Sequence, residues 1–268
     1  MTLAPLTKEQ IEQAAKLLKS ARVENRLLDS IPSSVRPRTL EDAYAIQDRL
    51  VEILEADVGG WFCACTNPAI QSLLGLAEPY YARLLRDAIL TEPATLNAAN
   101  LPPLVLECEF AYRLGADLSI DDAPFTRPQV EDAIASVHPA IEVVAGHLKD
   151  WPKQDVYSVI ADNGTDGALV YGEGTSEWQI LDLVNMAISL TINGDIVRRG
   201  VGRNVLGDPL DAMSWLANAR ARAGVGLRAG DIHNTGTATE IYWVTAGDEA
   251  RAEFEGLGSV SLNMEQRI

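Results

Sequence analysis

Nowhere does the chain carry an apolar run near the ~20 residues that a membrane-spanning helix needs. Its N-terminus reads as an acidic-basic helix, not as a charged start followed by an apolar signal segment, so a cytoplasmic protein is expected. Basic clusters are also missing. The formal charge of −16 excludes nucleic acid and anionic membrane as partners, and any anionic substrate would need a local cation. Cysteine is scarce: Cys63, Cys65 and Cys108 are odd in number and sit in apolar stretches. They supply too few ligands for structural zinc and suit reduced core thiols. Internal repeats and low-complexity segments are absent. What remains, with 47% apolar and 22% charged residues over 268 positions, is a folded chain long enough for a substantial core.

The most informative stretch is Leu106-Glu107-Cys108-Glu109-Phe110. In a strand, Glu107 and Glu109 share one face while Leu106, Cys108 and Phe110 enter a core on the other. Two carboxylates side by side in apolar surroundings repel, and burial raises the cost of ionising them unless a cation neutralises them. A divalent metal would do so, and oxygen-only ligands point to Mg²⁺ or Mn²⁺. For the E-x-E alone, a wet strand edge is the alternative. Further on, Ile141 and Val143 alternate with Glu142, which makes Glu142 a candidate third ligand.

Along the chain, Thr7 with Gln10 caps a first helix and Thr39 with Asp42 a second. Gly59-Gly60 turns the chain into a short strand at Trp61 to Cys65, and Asn67-Pro68 opens a third helix stopped by Gly75. A proline-rich stretch separates a helical N-terminal region, 1–85, from a β-rich remainder, 86–268. Arg127 to Val137 is expected to be helical, leading into a strand at His138 to Val144. Asn193-Gly194 between alternating apolar flanks signals a hairpin, and Asp208-Pro209 caps a helix ending at Gly224. Short strands are expected at Asp231 to Asn234, Glu240 to Thr245 and Gly258 to Asn263. The glycine-rich run Gly200 to Gly207 lacks nucleotide-binding spacing.

Taken in order, Glu41-Asp-Ala-Tyr-Ala-Ile-Gln47, Leu106-Glu-Cys-Glu109, Pro139-Ala-Ile-Glu-Val-Val144, Ala161-Asp-Asn163, Asn204-Val-Leu-Gly-Asp-Pro209, Trp215-Leu-Ala-Asn218, Leu227-Arg-Ala-Gly-Asp231 and Gly258-Ser-Val260 carry a resemblance. The chain resembles the 2-oxo-4-pentenoate hydratase and 4-oxalocrotonate decarboxylase group of the fumarylacetoacetate hydrolase superfamily. The resemblance implies an α+β fold, a mixed β roll with a small helical N-terminal region, assembled into homo-oligomers. It also implies that Glu107, Glu109 and Glu142 hold one Mg²⁺ or Mn²⁺ that chelates a small 2-oxo acid. It places Asp162 and Asn163 beside the metal, and Thr165 where a small hydroxyl residue contacts substrate.

Three departures stand out. Phe62 replaces the usual proton-transferring lysine, and a phenyl ring neither donates nor accepts a proton. Tyr80 falls where a second acidic residue is usual and has a hydroxyl able to transfer protons. Ala145-Gly146-His147 replaces an Asp-Ser-Arg run. His138 is the other candidate proton carrier; packing is the ordinary role for it, as for His147 and His233. Trp61 beside Phe62 is expected to wall the pocket, and Thr237 to offer a donor to a carboxylate. The implied activity is a metal-dependent lyase of hydratase or decarboxylase type on a 2-oxo acid or 2-hydroxydienoate, with altered chemistry in which decarboxylation suffers less than hydration. The alternatives are hydrolysis of a carbon–carbon bond in an acylpyruvate-like compound, with His138 or His147 as base, or a non-catalytic partner subunit associated with a related enzyme.

Overall fold

The computed structural model describes residues 4–98 and 102–265. α1 (Lys8–Val23) and α2 (Leu40–Leu54) begin at the expected caps, with Thr7 and Thr39 side chains accepting from the Gln10 and Asp42 amides. Their apolar stripes meet, and Leu18, Ile46 and Leu50 are fully buried in a helical cluster of their own. β1 (Val58–Ala64) and α3 (Pro68–Leu74) follow, then β2 (Tyr80–Leu85), β3 (Ile89–Thr91) and β4 (Ala94–Asn97). The long strand β5 (Leu104–Leu114) precedes α4 (Arg127–Ala133) and β6 (Ile134–Val144), then α5 (Val156–Ala161) and β7 (Asp166–Tyr171). β8 (Ala187–Ile192) and β9 (Asp195–Val201) form the Asn193-Gly194 hairpin, both turn residues having positive φ. α6 (Pro209–Arg222), β10 (Ile232–Asn234), β11 (Tyr242–Val244), β12 (Glu249–Phe254) and β13 (Gly258–Glu265) complete the described chain.

Two sheets result, one ordered β2-β1-β10-β5-β6-β7-β3 with β11 also on β5, the other β4-β13-β12-β8-β9. The odd-even alternation of β5 decides its role. Leu106, Cys108, Phe110 and Tyr112 are fully buried in the main core, where Phe110 meets Phe254 of the second sheet edge-on at 5.3 Å. Glu107 and Glu109 therefore point to the opposite face. β1 and β2, from the region before residue 86, are integral strands of the larger sheet.

One expectation is corrected, and two strands went unforeseen. The helix that starts at Arg127 ends at Ala133, because Ile134 to Val137 pair with the far end of β5 and the ladder outweighs local helical spacing. β2 and β12, not foreseen, have their strand conformation set by neighbours: β2 by β1, and β12 by both β8 and β13. Among the described residues, no helix is long and apolar enough to cross a membrane.

Candidate functional site

β5 and β6 pair antiparallel with Glu107 directly opposite Glu142, and Glu109 lies two residues along on the same face. One carboxylate oxygen from each of the three lies within 4.8 Å of the others. Glu109 is fully buried and Glu142 nearly so. No Lys, Arg or His among the described residues neutralises them. β10 and β11 both pair with β5 but leave a gap between them, and the end of β10 and the chain that follows it supply neutral donors. Asn234 Nδ2 donates to Glu109 Oε2 at 2.8 Å and to Glu142 Oε2 at 2.9 Å. The Gly236 amide donates to Glu109 Oε2 at 2.6 Å. Gly236 has φ +87°, and a Cβ there would stand 2.2 Å from Thr66 Oγ1, so glycine alone permits this approach.

Burial pushes the Glu107 carboxyl up to about 7. Burial and then neighbouring Glu107 push Glu142 up to about 8, and burial with both neighbours holds Glu109 well above the carboxylate range. Glu109 Oε1 is buried without a hydrogen-bond partner among the described residues. Three converging hard oxygens, uncompensated charge and an orphaned lone pair fit a divalent cation, which would satisfy all three at once.

A stability consequence follows. With raised folded-state pKa values, these carboxyls hold protons that the unfolded chain has released, so their contribution to metal-free stability is fullest below the ordinary carboxylate pKa and is lost as pH rises through about 7 to 8. His147 and His233, lowered by burial to about 4 and about 3, contribute the opposite slope but are neutral in both states above pH ~6.5. Chelator-treated protein should therefore lose thermal stability between pH ~6.5 and 8, and saturating Mg²⁺ should remove most of that loss. Scanning fluorimetry across the range checks this, and a flat metal-free profile would contradict it.

Beside Glu107 and Glu142 lies a cavity of about 190 Å³. Phe62, Tyr80, Thr165 and Thr237, all expected site residues, line it. Burial, then nearby Cys65, Glu107 and Glu142, hold the Tyr80 phenol protonated well above its usual range. Phe62 is 1% exposed and packs against Gly164, where a Cβ would come within 2.9 Å of its ring.

Four expected residues lie elsewhere. Trp61 alternates to the other face of β1, under the guanidinium groups of Arg220 at 3.6 Å and Arg83 at 4.7 Å from its ring centroid. It does not wall the cavity. Asn163 exchanges two hydrogen bonds with the Arg83 backbone, Oδ1 accepting at 3.0 Å and Nδ2 donating at 2.9 Å, and so pins β2. Asp162 accepts from Arg22 and, at 2.8 Å, from the His147 amide. His138 stands four residues, about 13 Å, along β6 from Glu142. Its ring nitrogens are taken by the Gly172 carbonyl at 2.9 Å and Ser136 Oγ at 2.8 Å. None of these four lines the cavity.

Asp162 and Asn163 act on the wall instead. Asn163, Gly164 and Thr165 are three successive left-handed residues, with φ of 49°, 65° and 64°, unusual above all for β-branched Thr165. Arg22 brackets this turn, bonding Asp162 Oδ1 at 3.0 Å and Asp166 Oδ1 at 2.5 Å. Asn234 and Gly236 went unforeseen; an asparagine inside an otherwise strand-like run was the available signal, since strands are depleted in asparagine.

Residues 86–264 match the fumarylacetoacetate (FAA) hydrolase C-terminal family. A 2-keto-4-pentenoate hydratase from Paraburkholderia phymatum is 31% identical over 260 residues, covering 96% of this chain and 98% of its own. A 2-hydroxyhexa-2,4-dienoate hydratase from Comamonas testosteroni is 30% identical over 259 residues, covering 94% and 95%. Among solved structures, 4-oxalocrotonate decarboxylase from Pseudomonas putida G7, complexed with magnesium and adipate, superposes with a TM-score of 0.89 at 27% identity, covering 97% of this chain and 99% of its own.

Proposed function

Because the chain belongs to the fumarylacetoacetate hydrolase family, we propose that it is a divalent-metal-dependent lyase of hydratase or decarboxylase type, acting on a small 2-oxo acid or 2-hydroxydienoate. The observation that carries this reading is the trio Glu107, Glu109 and Glu142, converging beside a largely apolar cavity with Glu109 Oε1 unsatisfied. These residues would hold Mg²⁺ or Mn²⁺, the hard cations suited to carboxylate oxygen. Bound there, the cation supplies Lewis acidity toward negative charge developing on a substrate oxygen.

The chain's own residues set the rest. Asn234 and the Gly236 amide orient Glu109, and Asn234 also orients Glu142. Phe62, Tyr80 and Thr165 line the cavity side of the trio. With Phe62 in the lysine's place, Tyr80, which lines the cavity and keeps its phenol protonated, is the proton donor we assign. A phenol in this place can supply one proton to carbon but offers no base to activate a water, and hydration needs both, which favours decarboxylation over hydration. The hydrolytic reading lacks its base, because His138, His147 and His233 all lie outside the lining.

Product analysis by NMR, with Mg²⁺ or Mn²⁺ and a panel of 2-hydroxydienoates, oxalocrotonates and acylpyruvates, tests the assignment. Metal-dependent decarboxylation or hydration is expected; hydrolysis of acylpyruvates alone would overturn it. Phe62→Lys should raise hydratase turnover by about 10²-fold, the scale of a restored general acid-base group. No gain with metal binding intact would show that this position does not limit hydration.

A further inference from the structure

The cavity's charge distribution is one-sided. Glu107 and Glu142 are the only charged side chains in its lining, and no Lys, Arg or His among the described residues reaches it. Much of the remaining wall is aliphatic: Ile70 and Leu74 come from α3, and Val156 and Val159 from α5. Several polar side chains there are already engaged, while the Trp151 indole N–H is buried without a partner among the described residues. Asn67 Oδ1 caps α3 by accepting from the Ala69 and Ile70 amides. Gln154 Nε2 donates to the Asp29 and Lys149 carbonyls at 2.9 and 2.8 Å. Thr237 Oγ1 donates to the Thr239 carbonyl at 2.9 Å.

We infer that this cavity selects a substrate with one carboxylate only, whose far end is an uncharged alkyl or aryl group, and that Ile70, Leu74, Val156 and Val159 are the residues that read that end. The inference rests on the proposed lyase reading, in which the substrate's own carboxylate lies at the metal end. A second carboxylate would enter a wall that offers no cationic side chain and only neutral donors such as Trp151 Nε1, and would surrender its hydration without a compensating charge. An alkyl or aryl group would instead displace water from aliphatic surface. α3 suits a selective rim: none of its residues is buried, so its apolar side chains gain a partner when such a tail enters.

Calorimetric titration of Mg²⁺-saturated full-length protein with two six-carbon probes, 2-oxohexanoate and 2-oxoadipate, tests this, with pyruvate reporting on the metal end alone. The monoacid should bind about 100-fold more tightly than the diacid, the scale on which pockets reject an uncompensated charge. Leu74→Arg, and separately Ile70→Arg, should narrow or reverse that ratio by at least about 10-fold while leaving pyruvate affinity unchanged. Equal or tighter binding of 2-oxoadipate by the unaltered protein, with metal-dependent pyruvate binding intact, would overturn the inference and leave the lyase reading standing. Absence of metal-dependent pyruvate binding would overturn the lyase reading and this inference with it.

Discussion

Exchanging Glu109 for glutamine is expected to lower divalent-cation affinity and metal-dependent turnover by more than about 100-fold, since even groups that merely orient metal ligands are worth about 10–100-fold. Glu109 is the centre of the trio: fully buried, held by Asn234 and Gly236, and left with an Oε1 that no described residue partners. Glutamine keeps the shape but replaces one carboxylate oxygen with a donor and removes the charge. The same change should raise the melting temperature of the metal-free protein, because it removes one of three mutually repelling buried acids. It should also abolish the upward shift that Mg²⁺ gives the unaltered protein. Calorimetric metal titration together with melting curves, with and without Mg²⁺, would check both halves. Unchanged cation affinity in a folded variant would remove Glu109 from the ligand set, and the proposed function with it.

The second large effect is expected at Arg22, far from the cavity in sequence. Its guanidinium serves two buried carboxylates, Asp162 and Asp166, and is itself only 11% exposed. Removing one member of such a group leaves uncompensated buried charge, which typically costs about 3–5 kcal/mol. For a chain of this size, Arg22→Met should lower the melting temperature by roughly 10 °C. A second substitution, Asp166→Asn, should recover part of the loss, because it removes one of the stranded charges. Since Arg22 also brackets the left-handed turn carrying Thr165, turnover should fall in the single variant at temperatures where it remains folded. A drop under about 3 °C would show that water or a rearranged side chain neutralises the aspartates instead. Arg22 thereby links the helical N-terminal region to the cavity wall, and that link joins residues 140 positions apart.

Much of the carboxylate trio is legible in the sequence. Alternation along Leu106 to Phe110 put Glu107 and Glu109 on one face, and Glu142 stood out between β-branched neighbours. The caps at Thr7, Thr39 and Asp208 and the Asn193-Gly194 hairpin also lie where local chemistry put them. These features share one property: a few adjacent residues carry the whole physical cause, whether a side chain satisfying its own helix end or a period of two sorting faces.

What local chemistry could not supply was register and distance. Only the β5–β6 pairing sets Glu107 opposite Glu142, and only the break between β10 and β11 brings Asn234 and Gly236 onto Glu109, 125 and 127 positions away. His138 shows the converse. It shares a strand with Glu142 and is near it in sequence, yet strand rise carries it about 13 Å off. Trp61 is adjacent to Phe62 and faces the other way, because neighbours on a strand point to opposite faces. The sequence by itself determined which residues carry charge and which face each takes along its own element. The tertiary structure alone decided which faces meet, because contacts between distant segments depend on the packing of the whole chain.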